Sequence, residues 1–343
     1  MTSSKFQPIG TNLEHRFLGL RLALKSFDSK KVIRLMQLLL AVGLLVLVWR
    51  LVEGEQVLEM LGSANPSWLI ASLAVISLQT VLSALRWRLT AGQLGLSFSR
   101  GTALREYYLA QIANQALPGG ILGDAGRALR SRAPAGLFTS GQAVVLERLA
   151  GQVAVFLLML IALFVTQLIP VAVDWPSWLL LTVGLILISL SAISAVLIWI
   201  ARNSMGKTGR LLKGLAVSSR LAFSPSRVLW RQVLLSLGTA LCNVAGFTFA
   251  AWAVGFELLF LDALAVVPMI LLAILLPITV SGWGLREGVA VALFPIVGAT
   301  ATQGLAASMA FGLTFLAAAL PGLAFVRSAR QPKAEAQDLG SLE

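Results

Sequence analysis

At 343 residues, 57% hydrophobic and 12% charged, the chain has too few charged residues for a water-soluble globule, where about a quarter is usual. Its formal net charge of +12 would suggest nucleic acid in a soluble protein. Here, however, the basic residues fall between apolar runs, which points to a positive-inside bias and anionic lipid instead. Cys242 is the only cysteine and His15 the only histidine, which excludes an intramolecular disulfide, cysteine-pair zinc and histidine-based metal or triad chemistry.

Residues 1–31 read as a retained basic cytoplasmic tail, with Phe17–Phe27 suited to lying on a membrane as an amphipathic helix. Spans are predicted at Leu35–Val52, Trp68–Leu85, Leu149–Ile169, Trp178–Ala201, Val233–Phe256, Leu264–Val280, Gly288–Val297 and Leu305–Val326. A bilayer needs about 20 residues per helix, so the seventh is too short to cross unaided. Residues 32–327 are thus expected to form an all-α polytopic domain of about eight spans plus re-entrant or broken helices, in two loosely similar halves. Lys207, Arg210, Lys213, Arg220 and Arg227 make the loop 202–231 a surface helix on anionic lipid at the cytoplasmic face. The polar tail 328–343 is expected to be disordered and cytoplasmic. Glu53, Glu55, Glu59, Asp174, Glu257 and Asp262 fall on the opposite face, where Arg50 is the one basic exception and can snorkel.

Two segments interrupt the helical pattern. Glu106 to Leu117 has helical period but is too short and too polar to span, and it runs into Pro118, Gly119, Gly120, Gly123, Asp124 and Arg127. Bare backbone at membrane depth must be covered or line a wet cavity, so a re-entrant hairpin opening to the cytoplasm is expected. The second break, Leu276 to Gly288, repeats the spacing: Leu-Pro, four residues, Gly, three residues, Arg, ending at Arg127 and at Arg286. Matching Gly/Pro-interrupted segments in two halves are a pointer to a transporter's binding site.

The chemistry there suits an anion. A helix restarting after glycines offers free N–H groups, and arginine matches phosphate oxygens in pairs. The candidate substrate-binding residues are Asn114, Gly119, Gly120, Gly123, Asp124, Arg127, Arg130, Glu147 and Arg148 from the first region, and Gly282, Trp283, Gly284, Arg286 and Glu287 from the second. A structural reading stands beside this one. The arginines then cap helices or mark the boundary, and Asp124 with Arg127, Glu147 with Arg148, and Arg286 with Glu287 are ion pairs that permit burial. Asn114 and Gln115 could donate to a head group or satisfy freed carbonyls. Tyr107 and Tyr108 read as an interfacial belt, and Arg86-Trp87-Arg88 as an anchor closing the second span. Asp124 and Glu287 are the carboxylates suspected of proton coupling. No catalytic residue, metal or cofactor is expected, and no nucleotide-binding loop is present.

On Asn114, Leu117-Pro118-Gly119, Gly123-Asp124, Arg127, Glu147-Arg148, Pro277, Gly282, Gly284, Arg286 and Glu287, the chain resembles the lysylphosphatidylglycerol synthase transmembrane-region, or flippase-like, membrane proteins. The resemblance runs from about the first span to the last. It implies a polytopic fold with re-entrant helices in a bacterial inner membrane and a role in moving a lipid with an anionic or sugar-bearing head group. The soluble aminoacyl-transferase domain of the bifunctional members does not follow here, so lipid aminoacylation is not expected. The rival readings are an embedded head-group transferase using Asp124, Glu147 or Glu287 as base, and a non-transporting partner of a lipid-synthesis complex. A second copy of the chain or a lipid-synthesis enzyme remains open as partner.

Overall fold

The computed structural model describes residues 29–117, 120–133, 135–168, 173–204, 206–224, 226–275 and 279–329. The amphipathic stretch, the tails up to residue 28 and from residue 330, Pro118, Gly119 and Pro277 lie outside them. The described residues form helices and turns, with no strand among them.

Helix α1 (Ser29–Leu51) turns by 96° into α2 (Gly54–Gly62). The turn is possible because the Trp49 ring fills the place a side chain at Gly54 would occupy. Helix α3 (Pro66–Gln93) starts on Asn65, whose side chain accepts from the Ser67 N–H, with proline at the first helical position. Next come α4 (Arg100–Ala116), capped by Ser99, and α5 (Leu122–Arg130). Helices α6 (Gly136–Leu168), α7 (Ser177–Asn203), α8 (Lys207–Phe223) and α9 (Ser226–Ala253) follow. The last group is α10 (Phe260–Leu272), α11 (Leu285–Leu293), α12 (Ala301–Ala319) and α13 (Pro321–Ala329).

Among the described residues, five helical runs are long and apolar enough to cross a membrane: α3, α6, α7, α9 and Ala301–Val326. The α1–α2 pair makes a sixth if counted as one span. The expected eight are not confirmed: the described parts of Leu264–Val280 and Gly288–Val297 overlap α10 and α11, helices of 13 and 9 residues. Each is shorter than the roughly 20 residues a crossing needs. Three helices also run past the expected ends: α3 continues through Arg86 and Arg88, α6 begins well before Glu147, and α9 takes in Arg231 and Gln232.

Between helices in lipid there is little hydrophobic drive, so close approach and hydrogen bonds must hold them together. The α3–α9 contact shows both. Ile76 lies against Gly246 where a methyl group would collide at 2.6 Å, and the Ser72 hydroxyl donates to the Gly246 carbonyl (2.8 Å). Phe247 carries the contact onward to Phe294 and Phe311, and these rings form the centre of the core. Helix α8 docks across the basic ends of the bundle, its Ser218 hydroxyl donating to Gln142 on α6 (2.9 Å). Helix α7 differs from every other span, since Leu179 is its one buried residue.

Candidate functional site

Helices α4 and α5 form an antiparallel hairpin. Leu117, which precedes a proline, leaves the helix in extended backbone (φ −112°, ψ 141°). Gly120 takes a left-handed φ of 62° before the chain turns back. The return brings Gly123 onto α4 so closely that a Cβ there would lie 2.0 Å from the Ala110 carbonyl oxygen. The Gly123 N–H donates to the Asn114 side-chain oxygen (2.7 Å), and the Asn114 amide donates to Asp124 (3.3 Å). Asn114 therefore ties the hairpin together.

Higher on the hairpin lies a network of charges. Arg127 is fully buried between the rings of Trp87 and Tyr107, each centred 4.6 Å from its guanidinium carbon. It donates to Asp124 (3.0 Å) and to Glu147 on α6 (3.1 Å). Glu147 also accepts from Arg86 on α3 (2.7 Å), and Arg86 donates onward to Thr239 on α9 (2.8 Å). Gly151 makes room for Arg86, since a Cβ there would sit 2.7 Å from the guanidinium. Arg148 reaches both Asp124 oxygens (3.0 and 2.9 Å). Arg130 pairs with Glu106 at the rim of the hairpin.

Two expectations need correction. Arg86 and Trp87 do not anchor a span end; both are buried within α3. Glu147 and Arg148 do not pair with each other, because each finds its partners on neighbouring helices. Glu147 faces Arg86 and Arg127, and Arg148 faces Asp124.

The three guanidiniums of Arg86, Arg127 and Arg148 share two carboxylates, so the network is left with one positive charge. The side chain of Arg148 is 42% exposed, the others being buried, which makes it the open end of that charge. Among the described residues its Nε has no partner, and neither do Nε and Nη1 of Arg127. Burial pushes the Asp124 carboxyl up, but Arg148 and Arg127 outweigh this and hold it below the ordinary carboxylate range.

The second break is built differently. Ser281, Gly282 and Gly284 take left-handed φ values of 51°, 79° and 84°. Gly284 meets α1, where a Cβ would fall 2.8 Å from the Ala41 carbonyl oxygen. The amide of Gly284 donates to the Glu287 carboxylate (2.7 Å), which caps α11 from within. Arg286 is buried, pairs with Glu287 and donates to Ser308 on α12 (3.0 Å). Trp283 covers its guanidinium at 4.9 Å. One cation meets one carboxylate here, and the cluster is neutral.

The two breaks do meet. The Ser281 hydroxyl donates to Gln115, one residue before the end of α4. Among the described residues no hydrogen bond, ion pair or ring contact joins Arg127 to Arg286; the junction is made by uncharged groups. At each helix restart one amide is already taken, by Asn114 in the first and Glu287 in the second. Sequence reasoning missed Arg86, Gln111 and Ser281. For Gln111 a signal was there, since Tyr107, Gln111 and Gln115 recur at the four-residue spacing of one helix face.

A search among curated proteins and among solved structures finds no match to the chain. A family model described as the lysylphosphatidylglycerol synthase TM region matches residues 34–322, from α1 into α13 and across both breaks. By that match the chain belongs to the lysylphosphatidylglycerol synthase TM-region family of multi-pass membrane proteins.

Proposed function

We propose that this protein is a lipid translocase that accepts a phospholipid, glycolipid or prenyl-lipid with an anionic or sugar-bearing head group. The lipid enters through a cytoplasm-facing cavity beside the α4–α5 hairpin. Family membership supports a role in lipid metabolism or transport. The observation that carries the finer reading is the uncompensated positive charge of the Arg86–Arg127–Arg148 network, open at Arg148. Unbalanced charge at the edge of a low-dielectric region attracts a counter-ion, and guanidinium forks pair well with phosphate oxygens. The acyl chains stay in the bilayer, so only the head group needs a polar path. The run of basic residues between the apolar segments supports, by the positive-inside rule, a reading in which the hairpin's mouth and both termini face the cytoplasm of a bacterial inner membrane. In the absence of a nucleotide-binding loop, a gradient or consumption of the product drives the movement.

Proteoliposomes holding the purified protein and fluorescent phospholipids or glycolipids test this. Wild type should move at least one anionic or sugar-bearing lipid between leaflets, and Arg148→Ala should slow it strongly while melting stays close to wild type. No movement across such a panel sinks the reading.

A further inference from the structure

The stretch from Trp175 to Phe256 holds seven lysines and arginines and no aspartate or glutamate. All of that charge lies on α8 or beside it, and α8 is tied at both ends to membrane spans. Only positions 204–206 join it to α7, and only positions 224–225 join it to α9. An extended residue covers at most about 3.6 Å, so neither end of α8 can leave the level at which those spans emerge. The 17-residue helix, about 26 Å long, therefore lies along the membrane surface.

The two faces of this helix differ. Its inner stripe, Leu212, Leu215, Ser219, Ala222 and Phe223, is buried or half-buried, and beside it the Ser218 hydroxyl donates to Gln142 (2.9 Å). Gln142 lies about 9 Å along α6 from its first residue, so α8 rests against the flank of α6 and not on its end. The opposite stripe faces away from the bundle. Arg210, Lys213, Val217, Arg220 and Leu221 share it by helical spacing, and all five are exposed. Val217 is 57% exposed and Leu221 55%, although both are bulky aliphatic side chains set among cations. Such a mixture is satisfied by a surface that is anionic above and apolar just beneath.

We propose that this outer stripe docks α8 on the anionic leaflet around the protein, as a charged clamp on the flank of α6. Arg210, Lys213 and Arg220 meet the lipid phosphates, while Val217 and Leu221 enter the acyl boundary beneath them. A soluble acidic partner would have to displace the head groups that the short tethers hold against the stripe. The inference goes beyond the translocase reading and does not depend on it, because the lipid here is bulk leaflet, held by charge and not moved. The clamp has a mechanical consequence. Ser218 grips Gln142, five residues before Glu147, so a docked α8 steadies the helix that carries both Glu147 and Arg148.

Amide hydrogen exchange of the full chain tests this in nanodiscs of phosphatidylcholine alone and of phosphatidylcholine mixed with phosphatidylglycerol. The anionic discs should slow exchange across α8 about tenfold, and added salt should remove the difference. Arg210→Gln with Lys213→Gln and Arg220→Gln should erase the slowing while melting in detergent stays near wild type. Val217→Ser with Leu221→Ser should speed exchange in both kinds of disc, because the apolar contacts serve either lipid. Arg148→Gln should keep the full slowing, which separates leaflet docking from a lipid held at the α4–α5 hairpin. Equal exchange of wild type in the two discs, or a slowing that survives the triple variant, overturns the proposal and leaves the stripe to a soluble acidic partner. Absence of lipid movement in proteoliposomes sinks the translocase reading instead and leaves the clamp standing.

Discussion

The two interrupted segments share a spacing of leucine, proline, glycine and arginine, yet they treat their arginines in opposite ways. At the second, Arg286 finds its carboxylate one residue on, at Glu287, and the cluster closes with its charge cancelled. At the first, Arg127 divides two carboxylates with Arg86 and Arg148, drawn from two other helices besides its own, and one positive charge is left over. A shared motif places each arginine nine residues after its proline, while the neighbouring helices decide what it pairs with. One break is a clasp; the other is a charged opening.

The sharpest way to break this comparison is Arg286→Ala. It strands Glu287, fully buried, without its cation, and losing one partner of a buried pair costs about 3–5 kcal/mol. The variant should express poorly or melt far below wild type in detergent, and Arg286→Met with Glu287→Leu should recover much of the loss. A single variant that melts like wild type would show that the clasp holds nothing. Gly312→Ala should come next. Its methyl would meet the Arg286 guanidinium at 2.2 Å, and overpacking of this kind costs about 1–3 kcal/mol in the same melting assay.

Arg127→Ala sharpens the contrast because it should hurt less than Arg286→Ala. Glu147 keeps Arg86, Asp124 keeps Arg148, and two cations then balance two carboxylates. A loss of about 1–3 kcal/mol, from the hydrogen bonds and the stacked rings, is expected. Equal damage from the two arginine variants would erase the difference between the breaks. The smallest effect on melting belongs to Arg148→Gln. A half-exposed ion pair contributes about 1 kcal/mol or less, so a clear drop in lipid binding with little change in stability is the expected result.

The helical membrane architecture and the places of both breaks were legible in the sequence, because apolar length and Pro/Gly punctuation are local signals. The ends of α3, α6 and α9 were not. Charges at Arg86, Glu147 and Arg148 resemble boundaries until their partners are known, and Arg86 and Glu147 stand 61 positions apart. Once paired across helices they can be buried, and the helix continues. The count of eight spans is not confirmed for a related reason: the apolar pattern runs on beyond α10 and before α11, while the described helices end at Leu272 and begin at Leu285. Arg127 and Arg286 were legible as buried cations tied to carboxylates, but which of the two had charge to spare depended on α3 and α6.

The bare flanks of α7 carry a further implication. Trp178 and Trp199 stand exposed near its two ends, about 31 Å apart along the axis, close to the roughly 30 Å of hydrocarbon in a bilayer. Indole rings settle at the level of the lipid head groups. With only Leu179 buried against protein, the inclination of this helix answers to membrane thickness more than to its neighbours. It is a ruler laid through the bilayer, and in a thinner membrane it must lean, carrying the basic helix α8 with it at the end where Arg202 emerges.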